Sequence, residues 1–438
     1  MLNSPPTAPE RRHALFVAFH YPPEASSSGV LRTLKYSRYL SDHGWRVTVL
    51  TLRRDAYEVT DASLEEQIPS QVRVVRTGYI NTKRHLSLWG RYPSFLAIPD
   101  RWIGWYPWAV RAARRVFSED PFDLVYSTSP HATTHVLAGA IARAHGVAWV
   151  MDFRDPWYEE PPEPGTPPLA HWASGKLEAR AVHRAQAIVT STPQLRDELR
   201  RRYPAQDQKV RCIFNGYDDA DFAVLPQPES RSDGRLRVVH AGSINGEFRN
   251  PIPLFRALRR AADAGQVELD SIRLRFIGPG EFSASFEVRR ALTELDLGAV
   301  VEFVDRVLYA DALQQIASAD LLLLLQASAD TVGLVPAKLY EYLRAGRPVL
   351  ALIWPGVTED VLRETEGGWA IDPRDPEALM AVWVEICSAW RRKALREHAA
   401  PPDRIRRYSR ESLAAELAQV FDSAMATMTP VAVPAGRR

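Results

Sequence analysis

Pro336-Ala337-Lys338-Leu339-Tyr340-Glu341-Tyr342-Leu343-Arg344-Ala345-Gly346, followed by Pro348 and an apolar run over 349–354, is the stretch from which the fold of this chain is read. A proline at the first turn and a glycine at the end delimit a helix, and the apolar run predicts the buried strand that it feeds. Lys338, Glu341, Tyr342 and Ala345 share one face by i, i+3, i+4, i+7 spacing, while Leu339 and Leu343 share another. One face can therefore be core and the other can hold a ligand. Lys338 stands in a first turn, where backbone N–H groups and the helix dipole favour an anion, and Glu341 can accept hydrogen bonds from sugar hydroxyls one turn later. Phosphate together with a diol is the chemistry of a nucleotide sugar. An amphipathic helix with Lys338 and Glu341 turned to water satisfies the same pattern, and at this point both readings stand.

Helix-then-strand units of this kind recur from end to end, which predicts an α/β chain with parallel sheets covered on both faces. Strands are expected at 14–19, 47–52, 72–77, 124–127, 148–153 and 187–190, and the pattern restarts at 236–241, 272–277, 300–304, 321–325, 349–353 and 369–371. Two doubly wound, Rossmann-like units in tandem follow, as the length of 438 residues also suggests. The expected division is 1–217 for the first domain, a polar linker over 218–234 and 235–405 for the second. A helix over 406–426 is expected to return to the first domain, and 427–438 is expected to be a disordered tail. Residues 159–168 carry several prolines and read as a surface loop.

A hydrophobic content of 46% and a charged content of 25% describe a globular chain, and a net charge of +2 gives no reason to expect nucleic acid. Cys212 and Cys387 stand far apart, outside any metal-ligand spacing, which fits a cytoplasmic protein without structural disulfides. No run is long enough to span a bilayer, so membrane contact would be peripheral, on the inner face of the plasma membrane.

In doubly wound units ligands bind beyond the carboxyl ends of the strands. The loop His20-Tyr21-Pro22-Pro23-Glu24-Ala25-Ser26-Ser27-Ser28-Gly29 leads into a helix carrying Arg32, and its small residues permit close approach of backbone to phosphate. It lacks the GxGxxG spacing of a dinucleotide site. Gly242 and Ser243 open the equivalent loop of the second half, where Arg249 offers a planar fork of donors to a diphosphate. Asp152, Arg154 and Asp155 crowd one loop, an arrangement that is costly to bury unless it works on a substrate or is fully paired. Asp218-Asp219-Ala220-Asp221 reads as a turn rather than a metal site, and no His or Cys ligand set points to a metal elsewhere.

Four segments together, FHYPPEASSSGVLRTLKYSRYLSDHGWRVTVLT (19–51), VMDFRDPW (150–157), IFNGYDDADF (213–222) and VPAKLYEYLRAGRPVLAL (335–352), resemble the retaining, nucleotide-sugar-dependent glycosyltransferases of family 4. The branch they look like builds bacterial surface polysaccharides or decorates glycans. The resemblance implies the GT-B fold, two Rossmann-like domains facing across a cleft. It also implies an acceptor site in the first domain and a donor site in the second, with Glu341 at the ribose and Lys338 and Arg249 near the diphosphate. No metal or other cofactor is expected, because cationic side chains and helix N-termini stabilise the departing diphosphate in this class. Two positions depart from the family pattern: Gly333 stands where a glutamate is usual and Arg154 where a histidine is frequent. Asp152, Arg154 or Asp155 are therefore the candidates for the catalytic role.

For the acceptor, Trp102, Trp105 and Trp108 lie among Arg101, Arg111, Arg114 and Arg115. The combination suits an anionic membrane surface holding a lipid-linked acceptor, a cleft that stacks sugars, or a helix packed on the core with arginine stems over it. Two other functions share such architecture, a sugar-nucleotide 2-epimerase and a sugar-nucleotide-binding scaffold without catalysis.

Overall fold

A computed structural model describes residues 11–27, 29–87, 89, 92–162, 165–226 and 234–428. Ser28, Arg91, residues 227–233 of the expected linker, two residues of the expected proline-rich loop and nearly all of the expected tail lie outside the described residues. The chain divides into two compact units, one made of residues up to Phe214 together with those from Arg410 onward, the other of Asn215–Ser409.

The first unit is built on seven strands: β1 (Arg12–Ala18), β2 (Trp45–Leu52), β3 (Arg73–Thr77), β4 (Leu124–Thr128), β5 (Ala148–Phe153), β6 (Ala187–Thr190) and β7 (Val210–Cys212). They run parallel in the order β3-β2-β1-β4-β5-β6-β7. The alternation of side chains sorts each strand between two cores. Leu15, Val17, Leu50, Leu52, Val125 and Met151 face the helices Tyr106–Glu119 and Ala132–His145. Ala14, Phe16, Val47, Val49, Leu124 and Val150 face the helices Gly29–Tyr39 and Arg410–Ala426. Burial on both faces is why these strands read as unbroken apolar runs.

The second unit has β8 (Leu236–Ala241), β9 (Ile272–Ile277), β10 (Val301–Val304), β11 (Leu321–Gln326), β12 (Val349–Ile353) and β13 (Gly368–Ile371), parallel in the order β10-β9-β8-β11-β12-β13. One face is covered by the helices Ile252–Asp263 and Pro376–Arg391, whose Leu254, Phe255, Leu258, Val382, Trp383 and Ile386 pack on Val238, Leu274, Leu323 and Leu350.

Two details differ from the sequence reading. Strand β7 was not expected, because its three residues carry too little pattern to stand out. Residues Asp219–Ala223 form a short helix instead of a linker turn, with Asp218 as N-cap accepting the Ala220 N–H at 3.0 Å.

Candidate functional site

In the second unit β8 ends at Ala241, and the chain turns through Gly242 towards the helix Ile252–Asp263. Asn245 Oδ1 accepts the backbone N–H groups of Phe248 and Arg249 at 2.9 Å and of Glu247 at 3.2 Å, folding the loop back on itself. Arg249 Nη1 then donates to Ser243 Oγ at 2.8 Å. The helix Ala337–Arg344 delivers Lys338 to the same place, where Nζ donates to the Ala241 carbonyl at 2.5 Å. Gly242 has φ 117°, and a Cβ there would fall 2.6 Å from Lys338 Nζ, so glycine answers both the backbone and the space the ammonium fills. One turn along, Glu341 Oε1 accepts the Tyr309 hydroxyl at 2.9 Å. Gly242, Ser243, Arg249, Lys338 and Glu341, selected one by one from the sequence, are thus brought together beyond the carboxyl end of β8.

The electrostatics of this cluster are uneven. Burial pushes the Lys338 ammonium down to about 7, Arg249 adds to the effect and Glu341 opposes it. Burial also lowers Arg249. Neither cation forms an ion pair among the described residues, and no described side chain caps the N-terminus of the helix Ala337–Arg344. Two under-neutralised cations beside a helix N-terminus form a site suited to an anion. His240, which the sequence did not single out, closes the floor: Nδ1 meets the Leu323 carbonyl at 2.8 Å, Nε2 is buried without a partner among the described residues, and burial holds the ring neutral, down to about 3. Tyr342 does not share the ligand face with Lys338 as its spacing suggested. It is buried, and its hydroxyl accepts the Ala241 N–H at 2.9 Å, anchoring the end of β8.

In the first unit the DFRDPW loop divides between interior and surface. Asp152 and Arg32 are both 0% exposed. Arg32 Nε and Nη2 grip the two Asp152 oxygens at 2.9 and 2.8 Å, and the guanidinium also reaches the carbonyls of Ile213 and Phe214. Tyr126 and Thr128 hydroxyls complete the carboxylate at 2.6 and 3.0 Å. The catalytic role expected of Asp152 and the phosphate contact expected of Arg32 do not fit these positions, because both side chains are fully buried and paired with one another. Together they tie β5, β4, the helix Gly29–Tyr39 and the segment after β7 to one another.

Arg154 stands differently. It is 9% exposed, its Nη1 is buried without a partner among the described residues, and Ser27 Oγ lies 3.4 Å from Nη2. Asp155, half exposed, is 4.0 Å away. A Cβ on Gly29 would fall 1.8–2.1 Å from the Arg154 guanidinium, which therefore lies against the N-terminus of the helix Gly29–Tyr39. Gly29→Ala is expected to displace Arg154 at a small cost in stability, about 1 kcal/mol or less, since the obstacle is the end of a flexible side chain and not backbone. Thermal unfolding together with a structure of the variant checks this, and an unmoved Arg154 would contradict it.

The tryptophans do not form one surface. Trp105 is 0% exposed with Nε1 bonded to Thr77 Oγ1 at 2.7 Å, and Trp102 packs against Phe19, Tyr79 and His131. Both belong to the core, which removes them from the acceptor or membrane contact expected from the sequence. Trp108 is 39% exposed, at the start of a helix whose Arg111, Arg114 and Arg115 face outward. Among the described residues no helix is long and apolar enough to cross a membrane, and no three His, Cys, Asp or Glu side chains cluster as a metal site would need.

Comparison with known proteins identifies the family and the fold. Residues 29–216 match the family model of the glycosyl transferase 4-like domain, and residues 235–388 that of the glycosyl transferases group 1. No curated protein sequence matches the chain. Among solved structures, HepE of Anabaena in complex with UDP and glucose superposes with a TM-score of 0.63 at 15% identity, covering 94% of this chain and 100% of that one. WaaG, a glycosyltransferase involved in lipopolysaccharide biosynthesis, gives 0.60 at 15% identity over 93% and 99%. Sucrose-phosphate synthase from Thermosynechococcus elongatus gives 0.58 at 17% identity over 95% and 100%. With two parallel-sheet units, each carrying its family's domain match across most of its length, the chain belongs to the family 4-like glycosyltransferases of GT-B fold.

Proposed function

We propose that this glycosyltransferase takes a nucleotide-sugar donor at the second unit, through Lys338, Arg249, Ser243 and the backbone at Gly242, with Glu341 on the ribose. The observation that carries the reading is the convergence of Lys338 and Arg249 over Gly242 without a carboxylate partner among the described residues. A diphosphate supplies the missing negative charge. The complexes of HepE with UDP support a uridine donor. Transfer proceeds with retention of anomeric configuration and without a divalent cation, Lys338, Arg249 and the helix N-terminus meeting the charge of the leaving diphosphate. In the first unit Arg154 and Asp155 serve the reacting groups, with Gly29 supplying the backbone of the loop.

The acceptor in this reading is a glycan or a lipid-linked glycan of bacterial surface polysaccharide. Arg111 and Arg114, with Trp108 and Tyr106 beside them, provide the surface for contact with anionic lipid. Sedimentation with phosphatidylglycerol vesicles at low salt, lost on raising the ionic strength, tests that surface.

Calorimetry with UDP, GDP and ADP tests the donor site directly. Donor turnover that depends on acceptor identifies transfer, interconversion of the sugar without acceptor identifies an epimerase, and binding alone identifies a scaffold. NMR of the product's anomeric proton reads the stereochemistry. Activity is expected to persist in EDTA, and a loss restored by magnesium or manganese would contradict the metal-independent mechanism.

A further inference from the structure

Arg154 is a cation that its surroundings hold firmly but leave under-neutralised. Its backbone is fixed on both sides: the N–H donates to Ser129 Oγ at 2.8 Å, and the carbonyl accepts the Ser191 hydroxyl at 2.8 Å. The side chain is nine-tenths buried, yet Nη1 has no hydrogen-bond partner among the described residues, and Nη2 makes a long contact of 3.4 Å to Ser27 Oγ. The carboxylates of the two loops that end β1 and β5 do not neutralise it closely. Asp152 is gripped by Arg32, Glu24 is paired with His20 at 2.7 Å and also accepts the Ser26 N–H, and Asp155 stands 4.0 Å away, half exposed. Burial lowers the guanidinium below its ordinary value, although Asp155 and Asp152 oppose the effect, and an arginine stays charged all the same. The guanidinium also lies at the wrong end of a helix for a cation. It crosses the space above Gly29, the first residue of the eleven-residue helix Gly29–Tyr39, whose first turn carries no acidic residue. A positive charge at the positive end of a helix dipole is unfavourable, and a bound oxyanion relieves both at once.

We propose that Arg154, with the N-terminus of the helix Gly29–Tyr39, is an anion subsite that binds a carboxylate or phosphate group carried by the acceptor glycan. The inference rests on the reading that the first unit receives the acceptor. The donor's diphosphate has cations of its own in the second unit, Lys338 and Arg249, so the charge at Arg154 answers a second anion. A guanidinium suits that task, because its planar fork can meet two oxygens of one carboxylate or phosphate. Asp155 is the carboxylate that competes for it. The acceptor is then an acidic glycan, ending in a uronic acid or a phosphorylated sugar, and not a neutral one.

The test titrates the full chain, saturated with UDP, with three sugars: methyl glucoside, glucuronate and glucose 6-phosphate, read by calorimetry or ligand-observed NMR. One of the two charged sugars is expected to bind about 10-fold or more tightly than the neutral one, and which of them does so tells a carboxylate from a phosphate. Arg154→Met should abolish that preference and Arg154→Lys should keep part of it, with UDP affinity unchanged in both and thermal unfolding confirming that each variant folds. Equal binding of charged and neutral sugars by the wild type overturns the subsite, as does a preference that survives Arg154→Met. A fall in UDP affinity in Arg154→Met as large as that in Lys338→Met gives Arg154 to the donor's diphosphate and overturns it too. A wild type that binds no UDP overturns the donor reading instead. The preference for charged sugars and its dependence on Arg154 are then still read in the free protein, so the two failures are told apart.

Discussion

Asp152→Ala is expected to lower the stability of the protein by about 3–5 kcal/mol, the cost of leaving a buried partner charge uncompensated. Arg32 would then keep a guanidinium in a fully buried site beside the carbonyls of Ile213 and Phe214 and the face of Tyr36, with its carboxylate gone. Arg32→Ala should cost a similar amount, and the pair Arg32→Met with Asp152→Leu should recover much of it, because removing both charges also removes the burial penalty. Urea unfolding of the four proteins measures this, and a loss below about 1 kcal/mol in Asp152→Ala would contradict the structural role. The pH dependence has a definite sign. Burial pushes the Asp152 carboxyl up, but the Arg32 charge and the hydrogen bonds of Arg32, Tyr126 and Thr128 bring it below its ordinary value. A depressed folded value means the contribution is present above the unfolded carboxylate value and is lost as pH falls through the folded one.

Lys338→Met carries the second large effect, in the opposite sense for stability and function. Loss of a charge-assisted contact should weaken UDP binding by roughly 1.5–3 kcal/mol, about 10- to 150-fold. The free protein should be no less stable, because a buried ammonium beside Arg249, with the Ala241 carbonyl as its one hydrogen-bond acceptor among the described residues, is replaced by an apolar chain of similar length. Affinity in the wild type should also depend on pH. Free Lys338 titrates near 7 and a neighbouring diphosphate raises that value, so binding is strongest below 7 and weakens above it as a proton must be taken up. Calorimetry in buffers of different ionisation enthalpy counts that proton. Equal affinity in Lys338→Met and wild type, or no proton uptake at pH 8, would remove the lysine from the site.

The donor cluster was legible because each of its residues carries a local signal. Gly242 ends a strand, Lys338 opens a helix after a proline, and Arg249 precedes another helix. The core contacts of the first unit carried no such signal. Asp152 and Arg32 lie 120 residues apart, and no local period connects them, so two charges that neutralise one another looked like two chemical groups awaiting a substrate. Trp102 and Trp105 misled for the same reason, since aromatic residues among arginines have one composition whether they face lipid or a sheet. His20 and Glu24 do have a local signature, the i, i+4 spacing of an imidazole and a carboxylate after a strand. The intervening prolines exclude the helix in which that spacing is usually read, so it carries no helical signal.

The sequence by itself determined that this chain folds as two parallel α/β units and where most strands fall, because burial on both faces writes inner strands such as β1, β5, β11 and β12 as continuous apolar runs. It also determined which loops end at the carboxyl edges of those strands, and so which residues could meet a ligand. Only the tertiary structure decided which of those charged groups remain available: Lys338 and Arg249 come together without a carboxylate between them, whereas Arg32 and Asp152 close on each other. The physical reason is that a charge's role depends on what stands within a few ångströms of it, and in a doubly wound sheet those neighbours come from strands and helices far apart along the chain.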